Sequence, residues 1–215
     1  MDTKPVHHIN LLLQRYPELV TCQEAIEQAY TLMEICFARG GKLLVCGNGG
    51  SAADAEHIVG ELMKAFVLER KPEQELCEKL QAVDAQLGAV LAQNLQGALP
   101  AIALDGHVSL TTAYMNDCQP LLCFAQQVNG YGMAGDVLLG ISTSGNSENV
   151  LYAATVAKAK GMKVIGLTGE KESKLSSLSD VCIRVPAWET YLVQELHLPV
   201  YHTLCLRLEE RFFKK

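Results

Sequence analysis

A glycine-rich turn between an apolar run and a helical segment constrains the fold more than any other part of the sequence. The run Leu43–Cys46 is typical of a buried strand. Three glycines that permit a sharp turn and a close approach to a ligand follow it, namely Gly47, Gly49 and Gly50. Ser51 is a candidate N-cap for a helix predicted over Ala52–Phe66. A strand, a glycine turn and a helix N-terminus bind anions, because free N–H groups and the helix dipole point at the turn.

Apolar runs and helical segments alternate along the rest of the chain. Further strands are predicted at Ala101–Leu104, Asp136–Ile141, Lys163–Leu167 and Val181–Val185. The intervening helices include a long one over Glu73–Gln96, and a final helix covers Glu195–Phe213 with Pro199 inside it. The alternation predicts an α/β fold with a doubly wound five-stranded parallel sheet. Two N-terminal helices, His8–Tyr16 and Glu18–Ala38, precede the first strand, so we expect them to pack against a partner chain.

Composition and charge exclude several classes of protein. The chain has 215 residues and an apolar fraction of 49%, which suits one domain with a full core. A net charge of -6 without a long basic run argues against nucleic-acid binding. No apolar stretch reaches the roughly 18 residues of a membrane span, and no signal peptide is evident, so we expect a cytoplasmic protein. The 8 cysteines lack C-x-x-C spacing, which predicts reduced, buried thiols rather than a thiolate zinc site.

A second polar turn follows the predicted strand at Asp136–Ile141. It consists of Ser142, Thr143, Ser144, Gly145, Asn146 and Ser147. Its hydroxyls and backbone N–H groups suit a phosphate monoester, and the missing P-loop lysine argues against nucleoside triphosphate hydrolysis. The first turn formally matches a dinucleotide fingerprint, but no acidic residue ends a second strand at the required distance. Because ligands bind beyond the carboxyl ends of parallel strands, we expect both turns to face one crevice.

Two helices carry side chains suited to acid–base or metal chemistry. His57 and Glu61 are one helical turn apart and share a face. The last helix contributes further potential ligands, namely Gln194, Glu195, His197 and His202. On a straight helix Gln194 and His202 are ~12 Å apart along the axis, so a shared metal requires extended side chains or a bend at Pro199. Nitrogen and oxygen ligands without thiolates would suit zinc among other divalent metals.

Together these motifs resemble the sugar isomerase (SIS) domain family and, within it, the phosphoheptose isomerases. The resemblance covers nearly the whole chain. The matching residues are Gly47–Ala55, His57, Glu61, Asn116, Asp117, Gly135–Leu138, Gly140–Ser147, Ile183–Pro186, Gln194, Glu195 and His202. It implies one domain over 1–215, a flavodoxin-like or Rossmann-like three-layer sandwich, with N-terminal helices in 1–40 and a helical insertion in 73–97.

The resemblance also implies an activity and an assembly. The family isomerises sedoheptulose 7-phosphate to D-glycero-D-manno-heptose 7-phosphate, so a phosphorylated sugar is the expected partner. The enzyme is expected to be a homotetramer with active sites between subunits. Glu61 and His202 would transfer protons through an enediol. Zinc, one ion per subunit in those members that bind it, would be held by His57, Glu61, Gln194 and His202.

The remaining roles implied by the resemblance concern the substrate. The phosphate would be held by Ser142, Thr143, Ser144 and Ser147. The sugar would be bound by Asn48, Gly49, Gly50, Ser51, Glu61, Asn116, Asp117 and Gln194.

Three departures from the family pattern keep alternatives open. Lys64-Ala65-Phe66 replaces a Gly-Arg-aromatic run, Tyr191 and Leu192 replace an Asp-Arg pair, and the segment 73–97 is inserted. One alternative is a SIS isomerase of another phosphosugar, such as a hexose or pentose phosphate. Another is a non-catalytic SIS protein that binds a sugar phosphate or a replication-initiator partner. Retention of both Glu61 and His202 favours the enzyme.

Overall fold

The computed structural model describes residues 6–214, in which strands and helices alternate along the chain. The helices are α1 (Val6–Arg15), α2 (Gln23–Ala38), α3 (Gly50–Met63), α4 (Gln74–Val83), α5 (Ala85–Asn94), α6 (Val108–Asp117), α7 (Cys123–Tyr131), α8 (Glu148–Ala159), α9 (Lys174–Leu178) and α10 (Thr190–Phe213). The strands are β1 (Leu43–Cys46), β2 (Ala101–Ala103), β3 (Val137–Ile141), β4 (Lys163–Thr168) and β5 (Val181–Arg184). Short 3-10 turns cover Pro17–Cys22 and Pro120–Leu122.

The five strands form one parallel sheet in the order β2-β1-β3-β4-β5. Strand β3 lies at the centre, and β1 lies between β2 and β3, with Leu44 opposite Ile102 of β2 and opposite Leu138 of β3. The predicted α/β class and the five-stranded parallel sheet are therefore confirmed. Within the described part of the chain, no helix is long and apolar enough to cross a bilayer.

Alternate residues of each strand point to opposite faces and build two cores. Leu43 and Val45 face a larger core beneath α1, α2, α3 and α10, whereas Leu44 and Cys46 face a smaller core beneath α7, α8 and α9. Helix α3, after β1, and helix α8, after β3, therefore cover opposite faces. The connections diverge between these adjacent strands, which opens a crevice at their carboxyl ends.

The N-terminal helices pack into the chain's own larger core. Ile9 of α1 and both Ile26 and Met33 of α2 are buried there together with residues of α10. The expected contact of these helices with a partner chain stays a prediction. The cysteine prediction is largely confirmed, since all eight are free and five are buried, although Cys118 is exposed.

The prediction of one long helix over Glu73–Gln96 is wrong, because this segment forms two helices, α4 and α5, packed as a hairpin. Asp84 interrupts the helix, and its carboxylate accepts hydrogen bonds from the Gln86 and Leu87 amides at 3.0 and 2.8 Å, as an N-cap does. The helices then pack closely, since a Cβ on Gly88 would lie 2.3 Å from the Leu80 carbonyl oxygen.

Both ends of α3 and the start of α10 also differ from the predictions. Ser51 is not an N-cap but lies buried inside α3, whose N-cap position is occupied by Gly49 with a φ of +59°. The helix ends at Met63 rather than Phe66, because Lys64 is extended. Helix α10 begins at Thr190 and continues through Pro199, so Gln194 and His202 belong to the same helix.

Candidate active site

The two predicted turns meet across the crevice between β1 and β3. Asn48 and Asn149 exchange amide hydrogen bonds of 3.0 and 2.7 Å, which join the turn before α3 to the first turn of α8. Gly47 permits the sharp bend, since a Cβ there would lie 2.4 Å from the Ser51 carbonyl oxygen. Sequence reasoning missed Asn149, for which the only signal was its position just after the serine-rich run.

The hydroxyl run after β3 forms a compact corner. Ser142 and Ser147 share a hydrogen bond of 2.9 Å between their hydroxyls, so the Ser147 side chain does not cap α8. The Ser147 side chain therefore leaves the first amides of α8 available to an anion, although the Val150 amide already donates to Asn149 Oδ1 at 3.0 Å. Ser144 is exposed, and its oxygen accepts a hydrogen bond from the Asn146 amide at 3.2 Å.

Gly145 determines the shape of this corner. Its φ is +66°, in the left-handed region, and a Cβ there would lie only 2.0 Å from the Ser173 hydroxyl. The Gly145 carbonyl accepts a hydrogen bond from the Leu175 amide at 3.0 Å, which ties the corner to α9. A side chain at this position would therefore displace the hydroxyls around it.

Three of the predicted catalytic and metal-binding residues come together between α3 and α10. His57 Nε2 lies 3.3 Å from Glu61 Oε1, and the rings of His57 and His202 are 5.0 Å apart. Glu61 is largely buried, and its other oxygen accepts a hydrogen bond from Lys64 Nζ at 3.1 Å. Burial lowers the pKa of His202, and the neighbouring His57 lowers it further, so the His202 imidazole is neutral at pH 7.

A buried tyrosine and a half-buried aspartate, neither assigned from the sequence, support His57. The Tyr201 hydroxyl lies 3.1 Å from His57 Nδ1 and donates to Asp54 Oδ1 at 3.1 Å. Asp54 precedes His57 by three residues on one helix face, which was a usable signal. For Tyr201 the sequence offered no such signal beyond its position next to His202. Burial raises the pKa of Asp54, which the hydrogen bond from Tyr201 partly offsets.

The other predicted residues lie apart from this cluster. Gln194 lies against the start of α3, since a Cβ on Gly50 would come within 2.5 Å of its Nε2 atom. That position is about 10 Å along the helix from His57. Asn116 and Asp117 are exposed at the end of α6, where the Asn116 amide donates to the Asp117 carboxylate at 2.8 Å.

The zinc set remains a prediction. Among residues 6–214, no three His, Cys, Asp or Glu side chains are grouped closely enough to hold a metal. The types of donor nevertheless suit a divalent ion, because His57 lies 3.3 Å from the Glu61 carboxylate and its ring is 5.0 Å from that of His202. Moreover, His202 Nε2 is buried without a hydrogen-bond partner in the described chain.

Comparisons with known proteins place this architecture in a family. The SIS domain family matches residues 7–95 and 82–169. The phosphoheptose isomerase of Rhodospirillum rubrum is 39% identical over 189 residues, which are 88% of this chain and 87% of the relative. That of Aneurinibacillus thermoaerophilus is 38% identical over 189 residues, covering 88% of this chain and 82% of the relative.

Solved structures agree with the sequence comparison. The phosphoheptose isomerase of Francisella tularensis superposes with a TM-score of 0.74 at 35% identity and covers 94% of both chains. The phosphoheptose isomerase of Neisseria gonorrhoeae gives a TM-score of 0.72 at 33% identity over 95% of this chain and 96% of that one. The chain therefore belongs to the SIS domain family, and its similarity within that family is to the phosphoheptose isomerases.

Proposed function

We propose that this chain isomerises sedoheptulose 7-phosphate to D-glycero-D-manno-heptose 7-phosphate. The observation that carries the proposal is the cluster of Glu61, His57 and His202, which coexists with a separate hydroxyl corner suited to phosphate. Relatives named phosphoheptose isomerase, at 38–39% identity over most of the chain, support the choice of substrate.

The chemistry needs a base, an acid and a phosphate anchor. Isomerisation moves a proton between C1 and C2 of the sugar through an enediol. Glu61 is assigned as the carboxylate that takes and returns this proton. His202, neutral because burial lowers its pKa, is assigned to proton transfer at the substrate oxygens. The exposed Ser144 and its neighbours are assigned to the phosphate on C7, at the other end of the substrate.

We further propose that the chain forms a homotetramer in which the active site is shared between subunits. Glu61 lies eleven residues along α3 from Gly50, at the crevice, which corresponds to about 16 Å in an α-helix. Glu61 thus lies about three helical turns along α3 from the end of the helix that borders the crevice. A second copy that supplies either the proton-transfer residues or the phosphate corner would shorten this separation.

Zinc is proposed as a cofactor held by His57, Glu61 and His202. Gln194, which the resemblance also implied, would join them only if its side chain left its place against the start of α3. When bound, the ion would stabilise negative charge on the enediolate oxygens. The chain's own residues would still transfer the protons and bind the phosphate.

The function is tested by NMR of the purified protein with sedoheptulose 7-phosphate, with and without a metal chelator. We expect conversion to the aldose product, loss of turnover with the chelator, and recovery on adding zinc. Hexose and pentose phosphates serve as parallel substrates. Turnover of one of these instead would assign a different sugar, and binding without turnover of any would indicate a non-catalytic protein. Full turnover in the chelator would disprove the zinc requirement.

The phosphate site is tested by Ser144→Ala. Removing one hydrogen bond to a charged phosphate costs about 1.5–3 kcal/mol, so we expect the Michaelis constant to rise about 10- to 100-fold. The melting temperature should not change, because the Ser144 side chain is exposed. Ser177→Ala, at an exposed serine of α9, is the matched control and should retain the parent Michaelis constant. An unchanged constant in Ser144→Ala would remove this residue from the site.

A further inference from the structure

A buried tyrosine connects Asp54 to His57 and takes no part in the mechanism above. Only 1% of Tyr201 is exposed, and its hydroxyl lies 3.1 Å from both Asp54 Oδ1 and His57 Nδ1. The Tyr201 and His57 rings meet edge to face, with centroids 5.4 Å apart and an interplanar angle of 74°. His57 is therefore held at Nδ1, while its Nε2 atom lies 3.3 Å from Glu61 Oε1.

The single hydroxyl proton of Tyr201 determines which nitrogen of His57 carries hydrogen. An ionised Asp54 can only accept, so the phenol donates its proton to Asp54. The phenol oxygen is then the acceptor that faces His57, which requires hydrogen on Nδ1. A neutral imidazole with hydrogen on Nδ1 has its lone pair on Nε2. That lone pair faces the Glu61 carboxylate, and the gap between these two acceptors suits a proton or a divalent cation.

We propose that Tyr201, backed by Asp54, is a positioning residue that holds hydrogen on Nδ1 of His57 and presents the Nε2 lone pair beside Glu61. Imidazoles that bind metals or transfer protons commonly depend on such a partner for their tautomer and ring orientation. Here the partner is a phenol contributed by α10, the helix that also carries His202. The catalytic consequence rests on the proposed isomerase function, whereas the tautomer of His57 does not.

The tautomer can be measured directly by nitrogen-15 NMR of histidine-labelled full-length protein. The spectra are recorded with a chelator at about pH 8, above the ordinary histidine pKa of roughly 6.5. The His57 signal is assigned by its loss in His57→Gln. We expect hydrogen on Nδ1 in the parent chain and a shift toward hydrogen on Nε2 in Tyr201→Phe, which removes the acceptor. Hydrogen on Nε2 in the parent, or an unchanged tautomer in Tyr201→Phe, would overturn the proposal.

Kinetics provide the second measurement. Loss of such a supporting group typically costs 10- to 100-fold, so we expect kcat of Tyr201→Phe to fall by about that factor with KM within about twofold. Tyr30→Phe is the matched control, because Tyr30 is a buried phenol that packs under Arg207 instead. It should keep both the tautomer and kcat of the parent. A kcat of Tyr201→Phe equal to that of Tyr30→Phe would count against the positioning role.

A second variant covers the case in which Tyr201→Phe does not fold. Asp54→Asn retains the phenol and replaces the acceptor-only carboxylate with an amide that can also donate. The Tyr201 proton is then free to turn toward His57 Nδ1, so we expect the same shift toward hydrogen on Nε2. An unchanged tautomer in this variant would refute the role of Asp54. If the parent chain does not act on sedoheptulose 7-phosphate, the spectra still decide the proposal, because they need no turnover.

Discussion

Replacing Glu61 with glutamine is expected to reduce kcat by about 10²- to 10⁴-fold, the usual contribution of a general base. The amide has the shape of the carboxylate but cannot accept a proton from the sugar carbon. Folding should not change, because the only ion pairs of the Glu61 carboxylate among the described residues are with His57 and Lys64, next to it on or beside the same helix. The rate is measured by NMR with sedoheptulose 7-phosphate, and the fold by circular dichroism and melting temperature.

Glu56→Gln provides the matched control for this substitution. Glu56 lies on the same helix but is exposed and outside the cluster with His57 and His202. The Glu56→Gln protein should turn over sedoheptulose 7-phosphate at the parent rate. A Glu61→Gln protein as active as the Glu56→Gln protein would show that another group removes the proton.

Replacing Glu209 with alanine is expected to produce the largest loss of stability. Glu209 and Arg70 form a completely buried ion pair, with Arg70 Nε 2.8 Å from Glu209 Oε1. Leaving a buried charge without its partner costs about 3–5 kcal/mol. For a chain of this length the melting temperature should fall by about 6–20 °C, as measured by calorimetry together with urea unfolding.

The contacts of this ion pair explain why it matters for the site. The Glu209 carboxylate accepts hydrogen bonds from the Phe66 and Val67 amides at 2.8 and 2.9 Å. Arg70 donates to the carbonyl oxygens of Leu62 and Glu61 at 2.7 and 2.8 Å, which satisfies the last turn of α3. The pair therefore fixes the end of the helix that carries Glu61, and Glu209→Ala should lower kcat as well as stability.

The same pair predicts how stability changes with pH. Burial raises the pKa of Glu209, but hydrogen bonds from the backbone amides and from Arg70 lower it by more, so the net pKa lies below the ordinary value. Its stabilising contribution is complete above the ordinary pKa and is lost as the pH falls through the lowered value.

Glu75→Ala is the control for the loss of stability in Glu209→Ala. It breaks the exposed Glu75–Lys79 pair and should lower the free energy of unfolding by less than about 1 kcal/mol. An equal cost for both substitutions would contradict this account.

The sequence predicts those parts of the fold that depend on local pattern. Apolar runs bounded by glycine or polar turns locate all five strands to within about one residue, and the order of elements indicates a parallel sheet. The hairpin of α4 and α5 was missed because its apolar periodicity continues through Asp84. Only the N-cap hydrogen bonds of Asp84 and the close packing at Gly88 reveal the break.

Some contacts of the candidate site likewise follow from local sequence spacing, whereas others depend on the tertiary fold. His57 and Glu61 share a helix face, so their proximity follows from helical spacing alone. Asn149 and Tyr201 meet their partners across 101 and 144 positions of the chain, and no short-range pattern predicts such contacts. Gln194 lies over the start of α3 because α10 runs alongside that helix, which sequence spacing could not show.

Because the two layers of helices belong to different cores, proton transfer and phosphate binding in the proposed reaction should respond differently to a loss of core packing. The helices that carry Glu61 and His202 are anchored in the larger core, whereas α8, which follows the hydroxyl corner, is anchored in the smaller one. Damage to one layer would therefore not weaken both halves equally. A protein with a loosened larger core could still capture its ligand by the phosphate while no longer converting it.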